Sequence, residues 1–128
     1  MKPSNFFIGS QEWELRFVNS DEILKLAEME STEDEKVILL GLTSAFESKI
    51  YLNSDYPLKM SLTLSHELMH ACIATYQLSR NIDTTKRCYC EEDICNFMEI
   101  CGDEYTRLLV ELRKVVRHAI KKAKHSRK

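Results

Sequence analysis

At 128 residues, with 44% hydrophobic and 30% charged side chains, the chain has the makeup of one soluble globular domain. No apolar run approaches membrane-spanning length, and a formal net charge of −2 points to no class of partner. The five Cys, at 72, 88, 90, 95 and 101, are an odd number, which argues against a complete disulfide framework.

The first nine residues hold one Lys and too short an apolar run for a signal peptide, which predicts a cytoplasmic chain with reduced thiols. Residues 1–10 read as a loosely held arm. Glu12 to Val18 alternates, with Trp13, Leu15 and Phe17 on one side and Glu12, Glu14 and Arg16 on the other, the pattern of a half-buried strand. Ser20, Asp21 and Glu22 signal a helix start, and Ile23, Leu24 and Ala27 give a short amphipathic helix. The acidic run from Glu28 to Glu35 predicts a solvated connector. Val37-Ile38-Leu39-Leu40 reads as a buried strand and Gly41 to Glu47 as a turn or short excursion. Ser48 to Asn53 alternates again and reads as an edge strand, with Ile50 and Leu52 inward and Lys49 and Tyr51 outward.

A helix is predicted from about Leu58 to Leu78, its apolar face formed by Leu62, Met69, Cys72, Ile73 and Tyr76. It contains His66-Glu67-Leu68-Met69-His70. Histidines at i and i+4 share one helical face and can hold one metal ion between them. Glu67 lies beside them, where it can take a proton from a water that the metal activates. On this wheel His66 and His70 sit at the rim of the apolar face, anchored to a rigid element yet open to substrate.

Residues 79–90 are polar and irregular. The pair Cys88 and Cys90 has no partner pair at zinc-finger spacing and reads as idle thiols. Cys72, Cys95 and Cys101 read as core. A last helix begins near Glu91 and runs to about Lys122, with an apolar stripe of Ile94, Phe97, Met98, Cys101, Tyr105, Leu108, Leu112, Val115 and Val116. From Arg113 onward the chain has eight Lys/Arg, two His and no acidic residue. This basic tail, at about 121–128, reads first as a helix end fraying into solvent. Contact with nucleic acid or an acidic partner is the second reading.

Catalytic zinc takes three protein ligands and leaves one position open. Glu91, Glu92, Asp93, Glu99, Asp103, Cys88 and Cys90 are the candidates for the third. Glu92, Glu99 and Asp103 fall on a stripe opposite the apolar face, whereas Glu91 lies at its rim. Glu91 therefore ranks first and Glu92 second. Tyr56, Tyr76 and Tyr105 are the phenols available to stabilise an oxyanion. The 48–53 strand is the expected place for an extended peptide to add across the site.

The runs Gly41-Leu42-Thr43, Lys49 to Asn53, Leu64 to Ala71 and Glu91 to Phe97 resemble those of small zincin-type metallopeptidases, above all the ImmA/IrrE-like proteins of bacteria and phages. In that family a Glu on a later helix follows the His-Glu-x-x-His helix, with small or apolar residues at +3, +6 and +7. Counted from Glu91 these are Ile94, Phe97 and Met98. Cys95 stands at +4, where the family often has Asn or Asp; counting from Glu92 puts Asn96 there but loses the Phe. The resemblance implies a zincin-like minimal α+β domain, in which a small twisted sheet packs against the active-site helix and a long C-terminal helix. It implies a zinc metalloendopeptidase whose substrate is a protein or peptide, in better-known relatives a transcriptional regulator. Two other readings stand beside it. One is a non-catalytic zinc-containing protein that sequesters a regulatory partner. The other is a nucleic-acid-associated regulator that uses the basic tail.

Overall fold

A computed structural model of the chain describes residues 1–31, 36–78 and 91–126. The architecture is α+β, a four-stranded mixed sheet with three α-helices. In chain order the elements are β1 (Ser4–Ile8), β2 (Gln11–Val18), α1 (Ser20–Leu26), β3 (Gly41–Ser44), β4 (Lys49–Asn53), α2 (Met60–Thr75) and α3 (Glu91–Ser126). A short 3-10 turn, Pro57–Lys59, leads into α2. The strand order is β1-β2-β4-β3, with β2 and β4 parallel and the outer pairs antiparallel.

The expected loose arm is a strand. Phe6 and Ile8 alternate with the exposed Phe7 and pair antiparallel with Trp13 and Gln11. The turn between β1 and β2 is only Gly9-Ser10, and Gly9 takes a φ of 58°, which glycine adopts without steric cost. In β2, Trp13 and Leu15 face the main core, as the alternation predicts. The indole Nε1 of Trp13 donates to Thr75 Oγ1 at 2.9 Å, fastening the sheet to the end of α2. Helix α1 starts where Ser20-Asp21-Glu22 predicts, but Asn19 is its cap, accepting from Glu22 N at 2.9 Å.

The third and fourth strands differ from expectation. Val37 to Leu40 is not a strand, and Ile38 is 60% exposed. The strand is instead Gly41–Ser44, the segment that reads as a turn. β4 lies where predicted but is an inner strand between β2 and β3, so β3 is the edge. Tyr51 accordingly does not face solvent. It joins Val18 and Ile23 in a small second core on the far side of the sheet, with Leu39 and Leu42 packed against it. The acidic connector lies partly at 32–35, outside the described residues.

Asn53, at the end of β4, is 1% exposed and ties three segments together. Its Nδ2 donates to Leu39 O and Ser20 Oγ, each at 3.0 Å, and its Oδ1 accepts from Asp55 N at 3.0 Å. Asn53→Ala would leave the Leu39 carbonyl and the Asp55 amide without these part-buried bonds. It is expected to cost about 1–3 kcal/mol, read as a lower midpoint of urea unfolding.

The main core lies between the sheet, α2 and the middle of α3. It joins Ile8, Trp13, Leu15, Ile50 and Leu52 to Leu64, Leu68, Ala71, Cys72, Phe97, Cys101, Leu108, Leu112 and Val116. The predicted α3 stripe is therefore buried or half-buried at Phe97 and from Cys101 onward, whereas Ile94 and Met98 in its first turns are exposed. Helix α3 also runs past its predicted end at Lys122 and through Ser126, so most of the expected tail is helix. No helix among the described residues is long and apolar enough to cross a membrane.

Candidate metal centre

The face that helix α2 buries only overlaps the one expected: Cys72 is in the core and Ile73 and Tyr76 pack against it. Met60, Leu64, Leu68, Ala71 and Cys72 point into the core, while Leu62 is 69% exposed and Met69 41% exposed. The true buried face includes Glu67, which is only 6% exposed. His66 and His70 stand beside this face and are exposed. The motif is thus split across a boundary, with its carboxylate inside and its imidazoles outside.

The two imidazoles converge. His66 Nε2 and His70 Nε2 are 3.2 Å apart, with the rings edge-on at 73°. A tetrahedral zinc with bonds of about 2.0–2.1 Å would hold two such nitrogens roughly 3.3 Å apart. One ligand atom from each of His66, Glu67 and His70 lies within 4.8 Å of the others. This is the one cluster of its kind among the described residues. The second fit is the carboxylate itself. Glu67 Oε2 is buried with no hydrogen-bond partner. Burial pushes the Glu67 carboxyl above its ordinary pKa, and the neighbouring His70 and His66 pull it partly back. A buried carboxylate oxygen without a donor is costly unless a cation or a proton lies close by. The donor set, two imidazoles beside a carboxylate, fits a divalent transition metal, zinc among them.

Three contacts hold the motif in place. Tyr105 Oη donates to the main-chain carbonyl of Ser65 at 2.8 Å, bracing α2 from α3 just before His66. The Tyr105 ring packs edge-on against Phe97 at 5.6 Å. From the other side, Thr43 Oγ1 on β3 donates to the main-chain carbonyl of Glu67 at 3.0 Å. Next to it, the backbone of Gly41 presses on the helix. A Cβ on Gly41 would lie 2.5 Å from Thr63 Cγ2 and 2.9 Å from Glu67 Cγ. Gly41 and Thr43 brace the motif, which the reading as a turn conceals. The signal was a glycine directly after an apolar run, where another backbone element comes close.

Two of the three phenols are otherwise engaged. Tyr105 is committed to Ser65, and Tyr76 donates to Glu104, whose other oxygen accepts from Gly9 N at 2.9 Å. Tyr56 precedes the 3-10 turn. Glu91 and Glu92 are exposed in the first turn of α3 and are not among the clustered ligand atoms. Glu99 and Asp103 face solvent, as their stripe predicts. Cys72 and Cys101 are buried as expected, and burial raises the Cys72 thiol to about 12, so it stays protonated. Cys95 is exposed rather than in the core. Cys88 and Cys90 lie outside the described residues. No family model, curated protein or solved structure matches the chain.

Proposed function

We propose that the chain is a zinc metallopeptidase acting on a protein or peptide substrate. The observation that carries this reading is the convergence of two exposed imidazole Nε2 atoms beside a buried carboxylate oxygen with no partner. The similarity of the motif and its surroundings to ImmA/IrrE-like zincins supports it.

In this reading His66 and His70 hold the metal through Nε2. Glu91 supplies the third ligand from the head of α3, with Glu92 as the alternative. A bound zinc supplies Lewis acidity to a water and to the scissile carbonyl. Glu67 accepts the proton of that water and passes it to the departing amine. Its burial favours this role, because a carboxyl lifted from its ordinary range holds a proton more readily between the two steps.

The substrate strand is proposed to run along β3, which takes over the part expected of β4. Asn53 N bonds to Leu40 O at 2.9 Å, and antiparallel pairing alternates bonded and non-bonded pairs. Leu42 and Ser44 are then bonded to β4, which leaves the N–H and C=O groups of Gly41 and Thr43 on the open edge. Those groups can pair with an extended peptide beside Glu67.

The test is metal content and hydrolysis measured together. Purified protein is expected to hold one zinc per chain and to cleave members of a mixed peptide library, read by mass spectrometry. His70→Ala is expected to lose both, while of Glu91→Ala and Glu92→Ala only the ligand's variant weakens zinc. Protein that takes up no stoichiometric zinc at micromolar concentration would refute the reading.

A further inference from the structure

We propose that the outward face of α3 between Lys114 and Lys124 is a docking surface for the phosphate backbone of duplex DNA. The inference is independent of the metal centre and starts from an uneven charge distribution. Residues 113–128 carry eight Lys/Arg and no acidic residue, whereas the other 112 residues carry ten Lys/Arg against twenty Asp/Glu. An acidic body thus ends in a basic helix.

The helix arranges those charges. Because α3 is unbroken through Ser126, Lys114, Arg117, Lys121 and Lys124 fall on one face, and all four are exposed. The row is about 15 Å long at 1.5 Å per residue. Ion pairs among the described residues join Arg16 to Glu14, Lys49 to Glu47 and Arg107 to Glu111, and none involves this row. On the opposite side Leu112 and Val116 are buried in the main core and Ile120 packs against it. The row is therefore fixed to a rigid body. Lys2 adds a further cation nearby, since it lines one cleft with His118 and Lys122.

The chemistry of the face selects the partner. A membrane-surface helix needs a free apolar face, but here that face is inside the core. A protein partner needs apolar or aromatic anchors, and no large hydrophobic residue beyond Val110 is exposed among the described residues. Single-stranded nucleic acid needs aromatic stacking platforms, and no Phe, Tyr or Trp follows Tyr105. What remains is charge presented on a helix. The major groove of B-form DNA, about 12 Å wide, admits a helix, and the deep, narrow groove of A-form RNA does not. Four cations in a row neutralise phosphates, and contact with phosphates carries little sequence preference.

Fluorescence anisotropy with a labelled 20-base-pair DNA duplex tests this on the full chain. Four phosphate contacts predict a slope of log K against log[salt] of about −4, or roughly a 150-fold loss between 50 and 200 mM salt. The variant R117Q/K121Q/K124Q is expected to bind at least tenfold more weakly at 50 mM, with a slope near −1. The control K25Q/K36Q/K59Q, which removes three exposed charges elsewhere, is expected to keep both affinity and slope. The proposal is overturned by an absence of duplex binding at 50 mM salt, or by an unchanged slope in the first variant. An equal loss in the control, or binding to single strands, an RNA duplex or acidic vesicles as tight as to the DNA duplex, overturns it as well.

Discussion

Glu67→Gln is expected to keep one zinc per chain and to lower hydrolysis by roughly 10²–10⁴-fold, the range for removal of a general base. The substitution changes no imidazole, so both Nε2 atoms remain 3.2 Å apart. It keeps the shape of the side chain and removes its ability to accept a proton. The same change should not cost stability. Glu67 buries a carboxylate oxygen that has no partner, and burial already disfavours its charged form. A neutral amide in that place is expected to melt at the same temperature as the natural protein or slightly above it. The pair of outcomes matters, because a carboxylate kept at a cost in stability is what a working site requires. Zinc content, melting temperature and peptide cleavage measured on one preparation check the prediction. A Glu67→Gln protein with full zinc and the natural rate would exclude Glu67 as the base.

The convergence of His66 and His70 was easier to read than their surroundings, and the reason is physical. Spacing within one helix is fixed by helical geometry, so His66 and His70 must converge once residues 60–75 are helical. The face that α2 buries is not fixed this way. Leu62, Leu64, Leu68, Met69, Cys72 and Ile73 spread over about half of the helix circumference, too broad an arc for periodicity alone to choose its centre. Tertiary packing chose the side that carries Glu67, against the tendency of a carboxylate to stay in water. Of the expected face, Leu62 and Met69 fail for that reason, while Cys72, Ile73 and Tyr76 still meet the core.

The sheet has the same lesson at longer range. β2 was legible because one of its faces meets the core and the other largely meets water, which makes the sequence alternate. Val37 to Leu40 has the composition of a strand, yet only its last residue meets β4, through Leu40 O and Asn53 N, and the strand itself begins at Gly41 opposite Leu52. Composition does not reveal where a partner strand starts. β4 was found, but its position was not, because Tyr51 looks outward in sequence and is buried by α1 and Leu42 in three dimensions. Whether a strand is inner or edge depends on residues far along the chain.

Gly41→Ala is expected to disturb the site more than its small size suggests. The backbone there is not in the left-handed region, so glycine is needed for space and not for conformation. An added Cβ would meet Thr63 Cγ2 at 2.5 Å and Glu67 Cγ at 2.9 Å. Thr63 is β-branched and stiff within a helix, so the softer response is a shift of the Glu67 side chain or a retreat of β3. Either movement alters the alignment of the carboxylate with the open strand edge. Overpacking of this kind costs about 1–3 kcal/mol. Hydrolysis is expected to fall towards the level of Glu67→Gln while zinc stays stoichiometric, because neither histidine is among the atoms that a Cβ on Gly41 would meet. Gly41→Ala combined with Thr63→Ser removes the closest clash and should restore part of the stability and part of the rate. In the Glu67→Gln background, Gly41→Ala should cost stability but almost no further activity, since both changes act on one carboxylate. A single Gly41→Ala variant with the natural unfolding midpoint and rate would mean that β3 does not set the position of Glu67.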